Sequence, residues 1–405
     1  MTARRVVVTG LGVICALGHN LAEVWCALRA GRSGIGPIRS LDVSNLRFQN
    51  GAEVREYDTG KHFGSGADLL DRFAQFALIS AREAVADSGV TLTPELRENT
   101  AVVSGSCVGG QSTQDAGFIE LYRQERGRVH PLTIPRTMAN AGASHISVEF
   151  GTTGPAFTIS TACSSANHAI GQAFRMVRSG EVDLAIAGGS EAPFSMGLLK
   201  AWEAIRVIAP DTCRPFSRDR RGMILGEGGA MLVLEPLERA EARGARIYGE
   251  IVGLGMSSDA GHITQPSVEG PARAMRAALR DAQLHPEQVG YINAHGTGTP
   301  GNDPTETRAI REVFGAHADR LAVSSTKSMH GHALGAAGAL EAVATVMALH
   351  QGLLPPTANF IGPDPECDLD IITHRARAAQ VECALSNSFA FGGLNAVLAL
   401  RAHLR

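Results

Sequence analysis

The 405-residue chain is 44% hydrophobic and 19% charged, which supplies a large buried core and excludes a disordered, polar composition. A formal net charge of −3 gives no electrostatic footprint for nucleic acid or an anionic membrane surface. Seven scattered cysteines without a C-x-x-C spacing argue against a disulfide framework or structural zinc, and they fit a reducing, cytoplasmic setting with no metal site.

The first predicted element is a strand at Val6 to Thr9, too short for the apolar region of a secretory signal. A helical pattern from Phe73 to Gly89 then leads through Pro94-Glu95 into a strand at Thr100 to Ser104. The run Pro155-Ala-Phe-Thr-Ile-Ser-Thr-Ala-Cys163 is apolar and β-favouring. A helical face of Ile170, Ala173, Phe174 and Val177 follows it, with Gly180 as the stop. Cys163 therefore falls at a strand-to-helix corner, where unpaired amides and the positive end of the helix dipole favour thiolate over thiol.

Farther along, Arg214 to Arg221 (RPFSRDRR) mixes basic, acidic and apolar residues and reads as a solvated face, with room for a local patch that docks an acidic partner. Gly226-Glu-Gly-Gly229 lacks the G-K-[ST] of a phosphate loop and reads as a packing turn before a strand at Met231 to Leu234. Gly296-Thr-Gly298-Thr-Pro-Gly301 matches G-x-G-x-x-G, but Pro300 falls inside the turn, so a nicotinamide site is a weak reading. Ala333 to Leu349, the longest apolar stretch, contains Glu341 and is too short and too charged to span a bilayer. It predicts a buried helix in which Glu341 needs a partner. Pro355 to Asp370 reads as a long connection.

Three patterns recur in order. Arg5-Val-Val-Val-Thr-Gly-Leu-Gly-Val13 resembles Tyr248-Gly-Glu-Ile-Val-Gly-Leu-Gly-Met256. The helix, Pro-Glu and strand of 73–104 return at 272–294, and the strand and helix around Cys163 return around Lys327. This predicts a duplicated αβ unit with mainly parallel sheets covered on both faces, divided into halves 1–247 and 248–405. Strand ends of both halves then converge on a shared crevice.

Two loops in the second half share the strand-then-polar-corner form of Cys163. They are Tyr291-Ile-Asn-Ala-His295-Gly-Thr-Gly-Thr299 and Ser324-Ser-Thr-Lys327-Ser-Met-His330-Gly-His332. A thiol with two strand-end imidazoles points to acyl transfer. The sulfur takes the acyl group, and neutral imidazole N–H groups stabilise negative charge that builds on oxygen. The loop Asn387-Ser-Phe-Ala-Phe391-Gly-Gly393 is placed to add a backbone amide.

The motifs TACSSA, GGSEA, GEGGAMLVLE, NAHGTGT, SSTKSMHGHALGAAGALE and NSFAFGG, in this order along nearly the whole chain, resemble the β-ketoacyl-acyl-carrier-protein synthases of the thiolase superfamily. The resemblance is to the elongating Cys-His-His type. CSSANHAI and KAWEAIRVIAPDTCRPFS look closest to the nodulation-protein-E branch. The resemblance implies a five-layer α-β-α-β-α fold, a homodimer, and an acyl carrier protein that presents acyl and malonyl thioesters on its phosphopantetheine arm, with no cofactor of the enzyme's own. It implies that Cys163 takes the acyl primer, that His295 and His332 bind and decarboxylate the malonyl group, and that the Cys163 and Phe391 amides form the oxyanion hole. Lys327 and Glu306 match accessory charged positions, which read equally as a structural ion pair. Thr297 and Thr299 match positions that bind pantetheine, and Phe391 and Gly392 belong to the gating loop. Val108 lies where the family lines the acyl tunnel, which reads equally as core packing, and Arg206 is a candidate carrier-protein contact. His330, Ala390 and Leu394 depart from the family pattern, and Ala390 is expected to stiffen the loop. A subunit of a type II polyketide synthase and a non-catalytic carrier-binding partner are the alternatives.

Overall fold

The computed structural model describes residues 3–403 and carries one continuous sheet of eleven strands. The first half contributes β1 (Val6–Cys15), β2 (Thr100–Gly105), β3 (Ala156–Ile159), β4 (Leu184–Glu191) and β5 (Gly228–Pro236). The second contributes β6 (Gly249–Ser258), β7 (Val289–Asn293), β8 (Ala322–Ser324), β9 (Asp370–Ile371), β10 (Cys383–Ala390) and β11 (Leu394–Arg401). The order is β9-β8-β7-β10-β11-β6-β1-β5-β4-β2-β3. Outward from the central β1–β6 pair, both halves run through their first, fifth, fourth, second and third strands, with β9 added at one edge. The duplication is thus a property of the fold.

The sheet is mixed, which corrects the mainly parallel expectation. β2 lies parallel to β3 and β4, while β5 is antiparallel to both β4 and β1. The second half repeats this arrangement. In the second half the reason is connection length. β10 returns as β11 through a turn at Phe391–Gly393, too short for the crossover that a parallel neighbour requires.

Seven helices matter for the site: α1 (Arg72–Ser88), α2 (Ala141–Phe150), α3 (Ser165–Ser179), α4 (Met196–Ile205), α5 (Glu269–Ala282), α6 (Asn302–Phe314) and α7 (Ala337–Gln351). α3 and α7 pack on each other and on strands of both halves. α1 and α2 cover the far side of the first half, and α5 with α6 the far side of the second. The result is the five-layer α-β-α-β-α arrangement. α7 is enclosed on every side within the middle layer, which is why residues 337–349 are all buried and show no polar stripe.

The repeated Gly-Leu-Gly has a packing cause. A Cβ on Gly12 would lie 2.0 Å from the Ser80 carbonyl oxygen of α1, and one on Gly255 would lie 1.9 Å from the Ala274 carbonyl oxygen of α5. Each half seats its outer helix directly on strand backbone. Gly255→Ala is therefore expected to destabilise the fold by about 1–3 kcal/mol, checked as a lowered midpoint in thermal or urea unfolding. Among the described residues no helix is long and apolar enough to cross a membrane.

Candidate active site

Cys163 sits in the corner between β3 and α3. The strand ends at Ile159, four residues before the cysteine, and the corner is closed by local bonds. Ser165 Oγ accepts the Thr161 amide at 2.9 Å, and Ser164 Oγ donates to the Thr161 carbonyl at 2.8 Å. Ala162 takes a left-handed φ of +51°, a strained conformation for a residue with a Cβ, and this turns the next side chain out of the corner. Cys163 itself is buried.

Burial pushes the Cys163 thiol up to about 11, against the lowering effects of Lys327 and of the Phe391 and Cys163 amides that face the sulfur. This corrects the expectation of a resting thiolate: the helix terminus is present, and desolvation outweighs it.

His295 follows β7, and His332 follows the short helix Lys327–His330 at the end of β8. Their rings meet edge-on, with centroids 5.5 Å apart and planes at 85°. The Leu334 amide donates to His332 Nδ1 at 3.1 Å, and Lys327 Nζ lies 3.4 Å from His295 Nδ1. Both Nδ1 atoms therefore act as acceptors, which leaves both protons on Nε2 as N–H donors toward the cavity. Burial and the Lys327 charge hold both imidazoles well below the ordinary histidine pKa, so both are neutral.

Lys327 is fully buried. Its ammonium donates to the His295 carbonyl at 2.7 Å and to the carboxylate of Glu341 on α7. This supplies the partner that Glu341 required, and it corrects the pairing of Lys327 with Glu306. Glu306, on α6, instead accepts the amides of His295 and Gly296, each at 2.8 Å, and the Asn387 side chain at 3.2 Å. It shapes the His295 loop from behind. Lys327→Ala strands a buried carboxylate and is expected to cost about 3–5 kcal/mol, read as a fall in the unfolding midpoint. Adding Glu341→Gln should recover part of the loss.

Cys163, His295, His332, Thr297, Thr299, Glu306 and Phe391 line one cavity of about 330 Å³. The Thr297 and Thr299 hydroxyls bond each other at 2.9 Å on one wall. Phe391 stacks on Trp202 of α4, with centroids 6.1 Å apart. The exposed Arg206 stands at the mouth beside Ile205 and Ile263.

Three predicted residues stay outside this lining: Lys327, which lies buried beneath His295, Val108 and Gly392. Val108 is half-buried, with its amide directed to Glu191 at 3.3 Å, so nothing here makes it a wall of the cavity. Gly392 contributes backbone freedom, at a φ of +84°. Its amide ties the loop to the Ile263 carbonyl at 2.7 Å. Ala390 lines the cavity at an ordinary extended φ of −117°, so it carries no strain in this conformation. The left-handed positions of the loop fall on Gly392 and Gly393. His330 is no third imidazole in the cavity: its Nδ1 donates to the Gly331 carbonyl at 2.8 Å and its Nε2 accepts from Thr326 at 3.0 Å.

Sequence reasoning assigns no role to Glu191, although GGSEA places an acid at the end of an apolar strand. It also misses Asp303, whose carboxylate accepts the amides of Phe216 and Gly298 at 2.8 and 3.1 Å and so braces the threonine loop. An acid closing an apolar run is the available signal for Glu191; Asp303 stands in the polar stretch Gly301-Asn-Asp-Pro-Thr305 and has no such signal.

Residues 3–240 match the β-ketoacyl synthase N-terminal domain, and residues 248–361 match its C-terminal domain. Nodulation protein E of Rhizobium sp. (strain N33) is 48% identical over 98% of this chain and 99% of its own. The 3-oxoacyl-[acyl-carrier-protein] synthase 2 of Synechocystis sp. (strain ATCC 27184 / PCC 6803 / Kazusa) is 44% identical over 98% of both chains. Among solved structures, the ishigamide ketosynthase/chain length factor superposes with a TM-score of 0.95 at 38% identity, covering 100% of both chains. With a thiol and two donor imidazoles converging on one cavity of this fold, the chain belongs to the β-ketoacyl synthase family.

Proposed function

We propose that the chain is a decarboxylating β-ketoacyl-acyl-carrier-protein synthase that elongates an acyl primer held on Cys163. The observation that carries this reading is the pair of neutral imidazoles, both forced into the Nε2–H form beside a buried thiol. In the first step Sγ attacks the acyl thioester of a carrier-bound phosphopantetheine arm, and the pantetheine sulfur leaves with the thiol proton. The amides of Cys163 and Phe391, which face Sγ in the free enzyme, then hold the carbonyl oxygen. In the second step the malonyl thioester oxygen accepts from both Nε2–H groups. The carboxylate departs as carbon dioxide, and its bonding electrons form an enolate held by the same donors. The enolate carbon attacks the acyl-Cys163 carbonyl, Sγ leaves as thiolate and takes one proton from solvent to restore the thiol, and the β-ketoacyl chain departs on the carrier.

Thr297 and Thr299 offer hydroxyls to the arm, Lys327 and Glu306 hold the His295 loop, and Phe391 with Gly392 gates the thiol. Val108 is assigned to the acyl tunnel beyond the cavity. The nucleophile comes from residues 1–247 and both histidines from 248–405. No cofactor is required, since the pantetheine arm arrives as substrate. An acyl carrier protein fits as partner through the name of the cyanobacterial relative. Seven free cysteines support a cytoplasmic location.

A second copy of the chain is the fitting cover for the unpaired outer edge of β3 and the exposed apolar side chains of Phe118, Tyr122, Ile134 and Val148 nearby in sequence. Light scattering at twice the mass of one chain supports this homodimer, and a monomer refutes it. The ishigamide structure favours a second reading, a polyketide ketosynthase that works only with a distinct partner subunit.

The test is intact mass spectrometry. The chain alone, given acyl-carrier protein, gains one acyl group on Cys163, and malonyl-carrier protein then yields a β-ketoacyl carrier. Absence of the acyl adduct would refute the assignment, and condensation only with an added subunit would favour the polyketide reading. A pH prediction accompanies it. With the thiol near 11, only about one part in ten thousand is thiolate at pH 7, so iodoacetamide alkylation of Cys163 should rise about tenfold per pH unit to beyond pH 9. A rate plateau below pH 8 would show a thiolate in the resting enzyme.

A further inference from the structure

We propose that Glu191 is a positioning residue that fixes the proton of His332, acting through the turn that follows the histidine; this rests on the function proposed above. Glu191 ends β4 and is fully buried. Its Oε1 accepts the Ser106 hydroxyl at 2.9 Å and the Val108 amide at 3.3 Å. Its Oε2 accepts the Cys107 amide at 2.6 Å and the Gly335 amide at 3.0 Å. These neutral donors hold the carboxylate, and burial raises its pKa to about 7.

Four donors on one carboxylate tie two loops together. One follows β2, and the other is the turn between His332 and α7. Within that turn Leu334 holds a left-handed φ of +46°, which a side-chain-bearing residue keeps only when its surroundings impose it. The Leu334 amide is the donor to His332 Nδ1, at 3.1 Å. The next residue, Gly335, has no room for a Cβ: one would lie 2.4 Å from the Cys107 nitrogen and 2.6 Å from Glu191 Oε2. The carboxylate therefore clamps the residue adjoining the strained one. Release of that clamp lets Leu334 relax, turns its amide away, and frees Nδ1 to take the proton. His332 would then present an acceptor where the malonyl oxygen needs a donor.

Glutamine at 191 keeps the shape but replaces one acceptor oxygen with an N–H₂ that faces amide donors. Glu191→Gln should lower malonyl decarboxylation at least about tenfold, short of the roughly 10²–10³ expected for outright loss of a donor. Acylation of Cys163 should stay within a few-fold or rise, because a negative charge that disfavours the thiolate is gone. Gly335→Ala, which pushes on the same contact from the other side, should give the same split. The direct readout is the imidazole ¹⁵N spectrum of histidine-labelled protein, with His332 assigned by its loss in His332→Ala. The unsubstituted chain should show His332 as Nε2–H, and both variants should shift it toward Nδ1–H.

An Nδ1–H signal in the unsubstituted chain overturns the inference. So does an unchanged tautomer in the variants, or an equal fall in acylation and decarboxylation. Failure of both variants to fold also overturns it, by making the carboxylate a requirement of folding first. If the unsubstituted chain neither acylates nor decarboxylates, it is the proposed function that fails.

Discussion

Cys163→Ala is expected to abolish condensation, by about 10⁴-fold or more, while malonyl decarboxylation persists. Condensation needs a covalent acyl group opposite the enolate, and no other side chain lining the cavity is a nucleophile of comparable reactivity. Cys213 is buried, with its Sγ directed at the Thr297 carbonyl 3.3 Å away. Cys107 lies near Cys163, but burial raises its thiol and its amide serves Glu191. Decarboxylation needs only the two Nε2–H donors. Neither is held through Cys163: His332 is fixed by the Leu334 amide, and His295 by Lys327 and Glu306. Carbon dioxide release from malonyl-carrier protein, read beside β-ketoacyl product by mass, separates the two activities. Condensation by the alanine variant would sink the proposed mechanism, and loss of both activities would show that the donors depend on the cysteine after all.

Two separable activities are legible in the amino-acid sequence, because Cys163, His295 and His332 each stand just past an apolar run in corresponding places of a repeated chain. Other features depend on contacts between distant segments. A helix-terminal thiol can be recognised from its corner, but its desolvation depends on what covers it, here Phe391 and the second half of the chain, so its pKa moves opposite to the expected direction. Glu341 is recognisable as an acid in need of a cation. Which acid Lys327 meets depends on the turn after it, so Glu306 looks equally eligible from spacing. The mixed sheet escapes sequence reading because strand–helix alternation reads as parallel at β4–β5, where α4 intervenes yet the strands pair antiparallel, and says little about β10–β11, joined by a tight turn. Gly10-Leu-Gly12 and Gly253-Leu-Gly255 are visible as a repeat, while the reason for them, a helix carbonyl within about 2–3 Å of each absent Cβ, lies in how the outer helices seat on the sheet.

His332→Ala is expected to lower malonyl decarboxylation by about 10²–10³, with acylation of Cys163 changed by no more than a few-fold. The asymmetry follows from where each donor points. The acyl carbonyl is served by the Cys163 and Phe391 amides, whereas the malonyl oxygen draws on the paired imidazoles. Loss of one of two donors removes stabilisation realised mainly as the enolate forms, so kcat should fall more than KM rises. A general-base role for His332 toward the thiol would predict the reverse, with acylation as the damaged step. The Leu334 amide argues against that role, since it occupies Nδ1 and leaves a proton on the nitrogen that faces the cavity. Acidity supplies an independent check. Because burial and Lys327 hold His332 and His295 well below the ordinary histidine value, the imidazole ¹⁵N signals of both rings should keep their neutral form as pH falls through 6.5, where a solvent-exposed imidazole would gain a proton. Protonation of either ring near 6.5 would mean that the imidazoles titrate as exposed groups and that the dry, neutral donor pair does not exist in solution.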